Sequence, residues 1–322
     1  GFCCGGTRTV ATGFTNLGAI ELTSVNGGQP ATLNVTAGSL INAATGTISA
    51  LAGTGGGRTI GAQLDNQGLV TLNLPLTLSR AGAAHTNSGT IDASAVDWTL
   101  SQSGTTPSFT NTGTITIGAG RTWTVSSGTL NQNAGSIGGT GTLSLSAVTA
   151  NFATAFTNAT TTLVVSSSVL NGPGTLTNAA GRTFSLVAST IAATMALDNQ
   201  GLLVVENTSA INGTLTTNAG STIRVQGNGF CCGGTLTVAT GFTNLGAIEL
   251  TSVNGGQPAT LNVTAGPLTN AATATITALA GTGGTRTLGA QLDNQGLVTL
   301  NVPLALSRAS AAHSNSGTID IS

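Results

Sequence analysis

Charged residues are scarce in this sequence, which has no lysine, no tyrosine and a net charge of −1. Only 5% of its 322 residues are charged, against about 25% in an average globular domain. We therefore expect neither a basic patch for nucleic acid nor an acidic field for cationic partners. No apolar run reaches the roughly 18 residues that a membrane-spanning helix needs, so we expect no membrane insertion in this segment.

The scarcity of charge does not make the chain disordered. Disordered chains combine low hydrophobicity with high net charge, whereas this chain is 39% hydrophobic with a mean hydropathy of +0.30. We therefore expect a buried core. The sequence also lacks an initiator methionine and a signal peptide and starts with Gly1 at a repeat boundary, so we expect a piece of a longer protein.

A long repeat organises the chain. Residues 1–94 align without a gap with residues 229–322, and the two copies differ at 12 of these 94 positions. We predict one complete unit, 1–228, followed by the first part of the next unit, 229–322, in a continuous solenoid rather than in independent domains. Because neither end has the atypical polar sequence of a capping repeat, we expect further units on both sides.

A shorter period is marked by asparagine, which recurs every 19 to 26 residues, so that ten steps cover 228 residues. Asn and Gly tolerate the backbone conformations of tight corners, and stacked Asn side chains form hydrogen-bonded ladders. The predicted turn and ladder positions are Asn16, Asn42, Asn66, Asn87, Asn111, Asn199, Asn244 and Asn294, with Asn133, Asn158, Asn178 and Asn218 as further markers of the period.

Between the markers, apolar residues alternate with polar ones. In GLVTLNLPLTLS, Val70, Leu72 and Leu76 share one face, while Thr71 and Thr77 share the other. This alternation predicts strands that are buried on one side, and no window carries a helical pattern. Coils of about 23 residues built from such strands predict an all-β fold, a right-handed parallel β-helix or β-solenoid of about 14 coils.

The motifs FTNTGTITI and HTNSGTIDA, the Gly, Thr, Asn and Ala bias and the near-identical long units resemble the repeat regions of large secreted bacterial surface proteins. The resemblance is to filamentous-haemagglutinin-type adhesins and autotransporter passengers, and it covers the whole chain. It implies a non-enzymatic structural segment of an extracellular, cell-surface fibre whose partners are further units of the same protein, in tandem, lateral or end-to-end association. The alternative is an adhesin shaft that binds glycans or other cells through an outward Thr, Asn and Arg face.

Few of the nine acidic residues form pairs suited to acid–base catalysis. Glycoside hydrolysis needs two carboxylates roughly 5–10 Å apart, and Asp65 and Asp92 are the candidates on adjacent coils. Asp65 lies in an LDNQGL turn, where the structural role of a corner residue is expected. His85 and His313 precede turns that offer no further ligands, so we expect solvent-facing histidines. We predict no catalytic residue, no cofactor and no metal site.

Arginine opens a predicted strand in GRTI, GRTW, GRTF and TRTL, and the first three of these residues, Arg58, Arg121 and Arg182, are separated by about three coils. We expect each of these side chains to keep a corner soluble. The alternative is a ligand-binding stripe along one edge.

Two vicinal cysteine pairs, Cys3 with Cys4 and Cys231 with Cys232, occupy equivalent positions in the two copies. About ten coils at about 4.8 Å separate the pairs, so they cannot bond to each other. Three states stay open: a vicinal disulfide that stiffens a turn, two reduced and partly buried thiols, and a disulfide to a neighbouring chain in an oxidising setting.

Five asparagines are followed two positions later by Ser or Thr and are candidate glycosylation sites if the host modifies this chain. They are Asn34, Asn158, Asn207, Asn212 and Asn262.

Overall fold

The computed structural model describes residues 5–229 and 232–321. The regular secondary structure of these two stretches consists of β-strands only, and the named strands pair in parallel. Paired strands lie about 22 residues apart along the chain and build a β-solenoid of about 14 turns. The predicted all-β solenoid fold is therefore confirmed.

The chain divides into two compact units, of which the first contains Gly1–Ala153 and Thr160–Thr162. Its strands are β1 (Gly6–Asn16), β2 (Ala19–Leu22), β3 (Ala31–Asn42), β4 (Thr47–Ala50), β5 (Arg58–Asn66), β6 (Leu69–Leu72), β7 (Leu76–Leu78), β8 (Ala84–Asn87), β9 (Thr90–Ala93), β10 (Trp98–Ser101), β11 (Ser108–Asn111), β12 (Thr114–Ile117), β13 (Thr122–Ser126), β14 (Thr129–Gln132), β15 (Ser136–Gly138), β16 (Thr142–Ser146) and β17 (Thr149–Phe152). Three sheets form its coils. The first pairs β1, β3, β5, β8, β11, β14 and β17 in that order; the second pairs β2, β4, β6, β9, β12 and β15; the third pairs β10, β13 and β16.

The second unit contains Thr154–Ala159 and Leu163–Ser322. Its strands are β18 (Phe156–Thr157), β19 (Thr162–Ser166), β20 (Val169–Asn171), β21 (Thr175–Asn178), β22 (Thr183–Val187), β23 (Thr190–Ile191), β24 (Ala196–Asn199), β25 (Leu202–Glu206), β26 (Thr208–Ile211), β27 (Leu215–Thr217), β28 (Thr222–Gly227), β29 (Gly234–Asn244), β30 (Ala247–Ser252), β31 (Ala259–Asn270), β32 (Thr275–Ala278), β33 (Arg286–Asn294), β34 (Leu297–Leu300), β35 (Leu304–Leu306), β36 (Ser314–Asn315) and β37 (Thr318–Ile321). One sheet pairs β20, β23, β26, β29, β31, β33 and β35; another pairs β19, β22, β25, β28, β30, β32, β34 and β37; a third pairs β18, β21, β24 and β27.

The core consists of the inward-facing residues of these strands. In β5 every second residue from Arg58 to Asn66 is buried, as the period-two pattern predicts. The first unit also contains a buried aromatic cluster. Trp98 and Trp123 stack at 5.5 Å between ring centroids, and Phe109 meets both rings edge-on. Burial of each such side chain contributes about 1.5–3 kcal/mol, so the stability comes from many stacked columns rather than from one site.

The corners between the strands also follow a period. Seven described residues other than glycine have a positive φ of 47° to 62°, and five of these lie at the end of a strand, about 20 residues apart. They are Ser127, Ala147, Ser167, Ala188 and Asn207. Each follows directly after a strand, so the corner itself imposes the left-handed conformation. Pro75 lies at another bend, between β6 and β7, where its missing N–H breaks no ladder.

Candidate functional site

A column of amide side chains runs through the interior of the first unit. The strands β1, β3, β5, β8 and β11 end in asparagine, and β14 ends in Gln132. The amide nitrogen of each donates to the amide oxygen of the next coil: Asn16 to Asn42 at 2.8 Å, Asn42 to Asn66 at 2.7 Å, Asn66 to Asn87 at 2.7 Å, Asn87 to Asn111 at 2.7 Å, and Asn111 to Gln132 at 2.9 Å. All six side chains are buried. We call this column the amide ladder.

The ladder amides also donate to backbone carbonyl oxygens, either in the corner that follows them or on the next coil. The Nδ2 of Asn66 also donates to the carbonyl oxygens of Gly68, at 3.3 Å, and Thr90, at 3.1 Å. A buried amide without partners would cost about 1–3 kcal/mol, so these contacts are what allow a polar column inside an apolar core. The ladder therefore joins each coil to the next and fixes the turn.

The second unit has two ladders of the same kind. One runs from Asn158 through Asn178 to Asn199, at 2.8 and 2.7 Å, and the other runs from Asn244 through Asn270 and Asn294 to Asn315, at 2.9, 2.8 and 2.7 Å. Between them, Thr217 is in register with Asn199, and its hydroxyl donates to the Thr243 carbonyl at 2.9 Å. The threonine hydroxyl is too short to bond to an amide on the next coil, so the hydrogen-bonded column is interrupted at Thr217.

Two of the asparagines that mark the period lie one position beyond the column. Asn133 is exposed, and its neighbour Gln132 is the ladder residue. Asn218 follows Thr217, and its Nδ2 donates to Asp198 on the outer side of the turn. Neither was among the predicted ladder positions, and register rather than residue type decides which side chain points inward.

At most of its occurrences the glycine two positions after a ladder asparagine is required by close packing, whereas a Cβ on Gly18 would meet no atom within 4 Å. A Cβ on Gly89 would collide with the carbonyl of Gly68, and one on Gly113 would collide with the carbonyl of Gly89. The recurring Asn-x-Gly motif thus combines an amide for the ladder with a residue whose backbone can approach the coil beside it.

Arg58 is buried, which corrects the expectation of a soluble corner. It is 0% exposed, and no carboxylate among the described residues pairs with it. Its guanidinium instead donates to backbone carbonyl oxygens at 2.9–3.2 Å: Nε to Leu51, Nη2 to Ala52 and Gly55, and Nη1 to Gly56 and Gly57. The loop 51–57 therefore folds around a cation that satisfies its inward-pointing carbonyl groups.

The equivalent Arg286 repeats this arrangement in the second copy. It is 1% exposed and donates to the carbonyls of Leu279, Ala280, Gly283 and Thr285 at 2.8–3.1 Å. Burial lowers the pKa of Arg286. Arg121, by contrast, is exposed, so the arginines of the Arg-Thr motif do not form one stripe.

The acidic residues stabilise turns. The carboxylate of Asp65 accepts hydrogen bonds from the Thr86 hydroxyl at 2.7 Å and the Gln67 amide at 2.8 Å. Asp92 belongs to a different sheet, and its Oδ1 accepts a bond from the Ser94 N–H at 2.9 Å. The two carboxylates therefore do not form the pair that adjacent coils suggested.

The remaining polar contacts of the carboxylates are of the same type. Hydrogen bonds from Ser314 and Gln295 lower the pKa of Asp293. Arg224 and Glu249, 2.7 Å apart, make the one ion pair found among residues 5–229 and 232–321. Within the same stretches, no group of three or more His, Cys, Asp or Glu side chains is arranged to hold a metal ion.

His85 lies in the core, so the expectation of a solvent-facing side chain is wrong for this residue. It is 3% exposed, and its Nδ1 accepts a hydrogen bond from the Leu64 N–H at 3.1 Å. Burial, with a smaller contribution from the charge of Arg80, lowers the pKa of His85 to about 4. The equivalent His313 is exposed. The difference arises because the strand β11 covers His85.

Three of the four cysteines, Cys3, Cys4 and Cys231, lie outside the described residues. Cys232 is half-buried and disulfide-bonded, and it forms an isolated antiparallel bridge with Asn228. A reduced thiol at Cys232 is therefore not the state of this structure.

The candidate glycosylation sites differ in exposure. Asn212 is exposed, and Asn34, Asn207 and Asn262 are half-buried. Asn158 is 0% exposed and belongs to a ladder, where its Nδ2 donates to Asn178. The nitrogen that would carry a glycan is therefore engaged inside the folded core.

No protein-family model, curated protein or solved structure matches this chain. In the part of the chain that the structure describes, no helix is long and apolar enough to cross a membrane.

Proposed function

We propose that this chain is a structural, non-enzymatic segment of a secreted tandem-repeat fibre or filamentous adhesin at a bacterial cell surface. The observation that carries the proposal is the amide ladder, because it has the properties of a scaffold. Its groups are buried, paired with each other and repeated from coil to coil. A side chain in such a column cannot reach a substrate.

Both copies of the long repeat contain the same buried hydrogen-bond network around an arginine, which supports the same function. The backbone carbonyl oxygens that accept hydrogen bonds from Arg58 have counterparts around Arg286, with nearly the same donor–acceptor distances. A specific binding or catalytic site is needed once, whereas a scaffold gains length from every copy of its unit. The ladder asparagines and the buried arginine are present in both copies.

The proposal also explains the composition. The chain has eight arginines and no lysine, and the side chains of Arg58 and Arg286 are buried. Proteases that cleave after basic residues therefore find few accessible sites. Such resistance suits an extracellular location, and digestion of the native chain with trypsin should leave it largely intact under conditions that degrade the unfolded chain.

The decisive experiment is electron microscopy of the native material from the cell surface. We expect long, uniform filaments that form without a ligand. Globular particles would reject the proposal. So would cleavage of a polysaccharide by the purified chain if it were lost in Asp65→Asn or Asp92→Asn.

A second candidate function is glycan binding by the outer side of the first unit. Thr86, Thr110, Asn131 and Asn151 form an outward column of hydroxyl and amide groups, in which the Asn151 amide donates to Asn131 at 2.8 Å. Such groups suit the hydroxyls of a sugar. Retention of the monomeric chain on a glycan array, lost on changing Asn131 to Leu, would favour this function over a purely structural one.

A further inference from the structure

Five asparagines in this chain are directly followed by glycine: Asn26, Asn171, Asn212, Asn228 and Asn254. In such a pair the backbone nitrogen of the glycine can attack the side-chain carboxamide of the asparagine, because glycine has no side chain to hinder the approach. The attack requires a glycine nitrogen that is not engaged in a hydrogen bond and a backbone segment that can move. The surroundings of each pair therefore decide which of the five reacts.

Asn254 occupies an exposed corner between β30 and β31. Neither its carboxamide nor the N–H of Gly255 forms a hydrogen bond with any described residue. On one side of the pair the Ser252 hydroxyl donates to the Asn254 carbonyl oxygen at 3.2 Å. On the other side the Gly256 N–H donates to the Thr282 hydroxyl at 3.2 Å. The corner is therefore anchored at both ends, while the attacking nitrogen and the carboxamide between them are not held.

The exposure of Asn254 persists with a coil on each side of the corner. Gly229, on the preceding coil, lies against the Asn254 side chain, and Thr282 belongs to the following coil. Asn254 is exposed between these two neighbours. Its accessibility is therefore a property of the corner itself and does not arise from a missing coil.

Two other pairs are held by hydrogen bonds. The Gly172 N–H donates to the Thr194 hydroxyl at 3.3 Å, so the nitrogen that would attack Asn171 is engaged. The Asn228 amide donates to Glu206 at 3.0 Å, so the carboxamide of this pair is fixed. Both contacts oppose the attack.

A further pair, Asn212 with Gly213, is fixed by packing. Asn212 is exposed, but Gly213 is buried, and a Cβ on it would collide with the Met195 carbonyl oxygen. The glycine backbone therefore has no room to turn towards the carboxamide. Because this pair consists of the same two residue types as Asn254 and Gly255, it serves as an internal control.

The ladder asparagines are protected in a different way. None of them is followed by glycine, and their amide groups donate to one another from coil to coil. Loss of such an amide would break a ladder. The fold thus separates the asparagines that hold the coils together from the asparagine at the exposed corner.

We propose that Asn254 is a site of spontaneous covalent modification, where the folded chain converts asparagine into aspartate and isoaspartate. The Gly255 nitrogen forms a bond to Cγ of Asn254 while the bond between Cγ and Nδ2 breaks. Ammonia leaves with the proton of the Gly255 N–H, and a five-membered succinimide ring remains. Water then opens the ring at either of its two carbonyl groups and supplies the oxygen of the new carboxylate, so the reaction needs no oxidant, reductant or enzyme.

The corner recurs once in each long unit. The equivalent pair of the first copy is Asn26 with Gly27. The Ser24 hydroxyl and the Gly28 N–H make the same hydrogen bonds there, at 3.4 and 3.2 Å. Each conversion adds one negative charge to a chain whose net charge is −1. Successive units therefore acquire carboxylates at one corner as the molecule ages, while the ladders keep their amides.

The test is peptide mapping by mass spectrometry after the folded chain has been kept in a mildly alkaline buffer made with heavy-oxygen water. We expect conversion to the acid with uptake of one heavy oxygen at Asn254, about tenfold or more faster than at Asn171 and Asn212. In urea the three rates should approach one another, because unfolding removes the contacts that distinguish the pairs. Circular dichroism verifies that the native sample stays folded. Equal rates at Asn254 and Asn212 in the folded chain would overturn the inference.

Substitutions test whether the fold tolerates the product. Asn254→Asp should leave the urea midpoint of the chain unchanged, whereas Asn270→Asp, which places a charge at a buried ladder position, should lower it. Asn254→Gln lengthens the side chain by one methylene and should stop acid formation at this position. Equal loss of stability in both aspartate variants, or conversion of a ladder asparagine ahead of Asn254 in the folded chain, would contradict the proposed site.

Discussion

The Nδ2 of Asn66 lies 2.7 Å from the Oδ1 of Asn87, and the same contact recurs at 2.7 Å between Asn87 and Asn111. Each of these amides is both donor and acceptor within a buried column. Removal of one amide therefore leaves two neighbours incompletely paired, so the ladder should respond to substitution more strongly than an isolated polar contact.

Asn66→Ala should lower the free energy of unfolding by about 2–4 kcal/mol, because the Asn42 donor and the Asn87 acceptor each lose a partner in an apolar surrounding. Urea unfolding followed by circular dichroism measures the change. The matched control is Asn133→Ala, an exposed position outside the ladder, which should shift stability by less than about 0.5 kcal/mol. Equal effects of the two substitutions would contradict a special role for the ladder.

Arg58→Lys should destabilise the chain by about 2–3 kcal/mol although it keeps the charge. An ammonium has three donors on a flexible stem and cannot reproduce the planar fork that serves the carbonyls of the loop 51–57. Arg286→Lys should behave alike, and the exposed Arg121→Lys should be nearly neutral. Thermal unfolding and amide hydrogen exchange of the loop report the loss. Unchanged hydrogen-exchange protection of the loop in Arg58→Lys would show that the hydrogen bonds of the guanidinium do not order the loop.

Stability should fall as the pH drops from about 6.5 to about 4, because burial lowers the pKa of His85 to about 4 in the folded chain. In this window the unfolded chain binds a proton at His85 that the folded chain does not, so acid favours unfolding, by about 3 kcal/mol in total. Below about pH 4 both states are protonated and this contribution stops changing.

Urea unfolding at a series of pH values measures this dependence. His85→Gln should flatten the curve between pH 6.5 and 4, whereas His313→Gln, the exposed equivalent, should leave its slope unchanged. A slope that survives in His85→Gln would assign the pH dependence to other groups.

Ala188→Gly should raise the free energy of unfolding by about 0.5–1 kcal/mol, since Ala188 has a φ of +47° that glycine adopts without strain. Ala210→Gly, in the strand β26, should have the opposite sign and a similar size, because there glycine only adds freedom to the unfolded chain. Differential scanning calorimetry of the two variants distinguishes them. A fall in melting temperature for both would show that the corner is unstrained.

The sequence predicted those features of the fold that depend on the recurrence of one residue type, asparagine, at a regular spacing. The recurring asparagines predicted stacked corners and an amide ladder, but the expected left-handed conformation of the corner glycines was wrong: Gly68, Gly89 and Gly113 have no positive φ and are instead packed closely against the previous coil. The burial of Arg58 and His85 was not predictable in this way. It depends on where a seven-residue loop directs its carbonyls and on whether a further coil covers the strand, which neighbouring residues do not encode.

The amides of a ladder all face one way. From Asn16 to Gln132 the nitrogen of one coil always donates to the oxygen of the following coil, and the last amide, Gln132, turns its nitrogen to the Ala134 carbonyl at 2.6 Å. The aligned dipoles therefore give the column a vector, with an oxygen at its head and a nitrogen at its tail. A two-fold axis would bring like poles of two such columns together, so one ladder can continue another only head to tail.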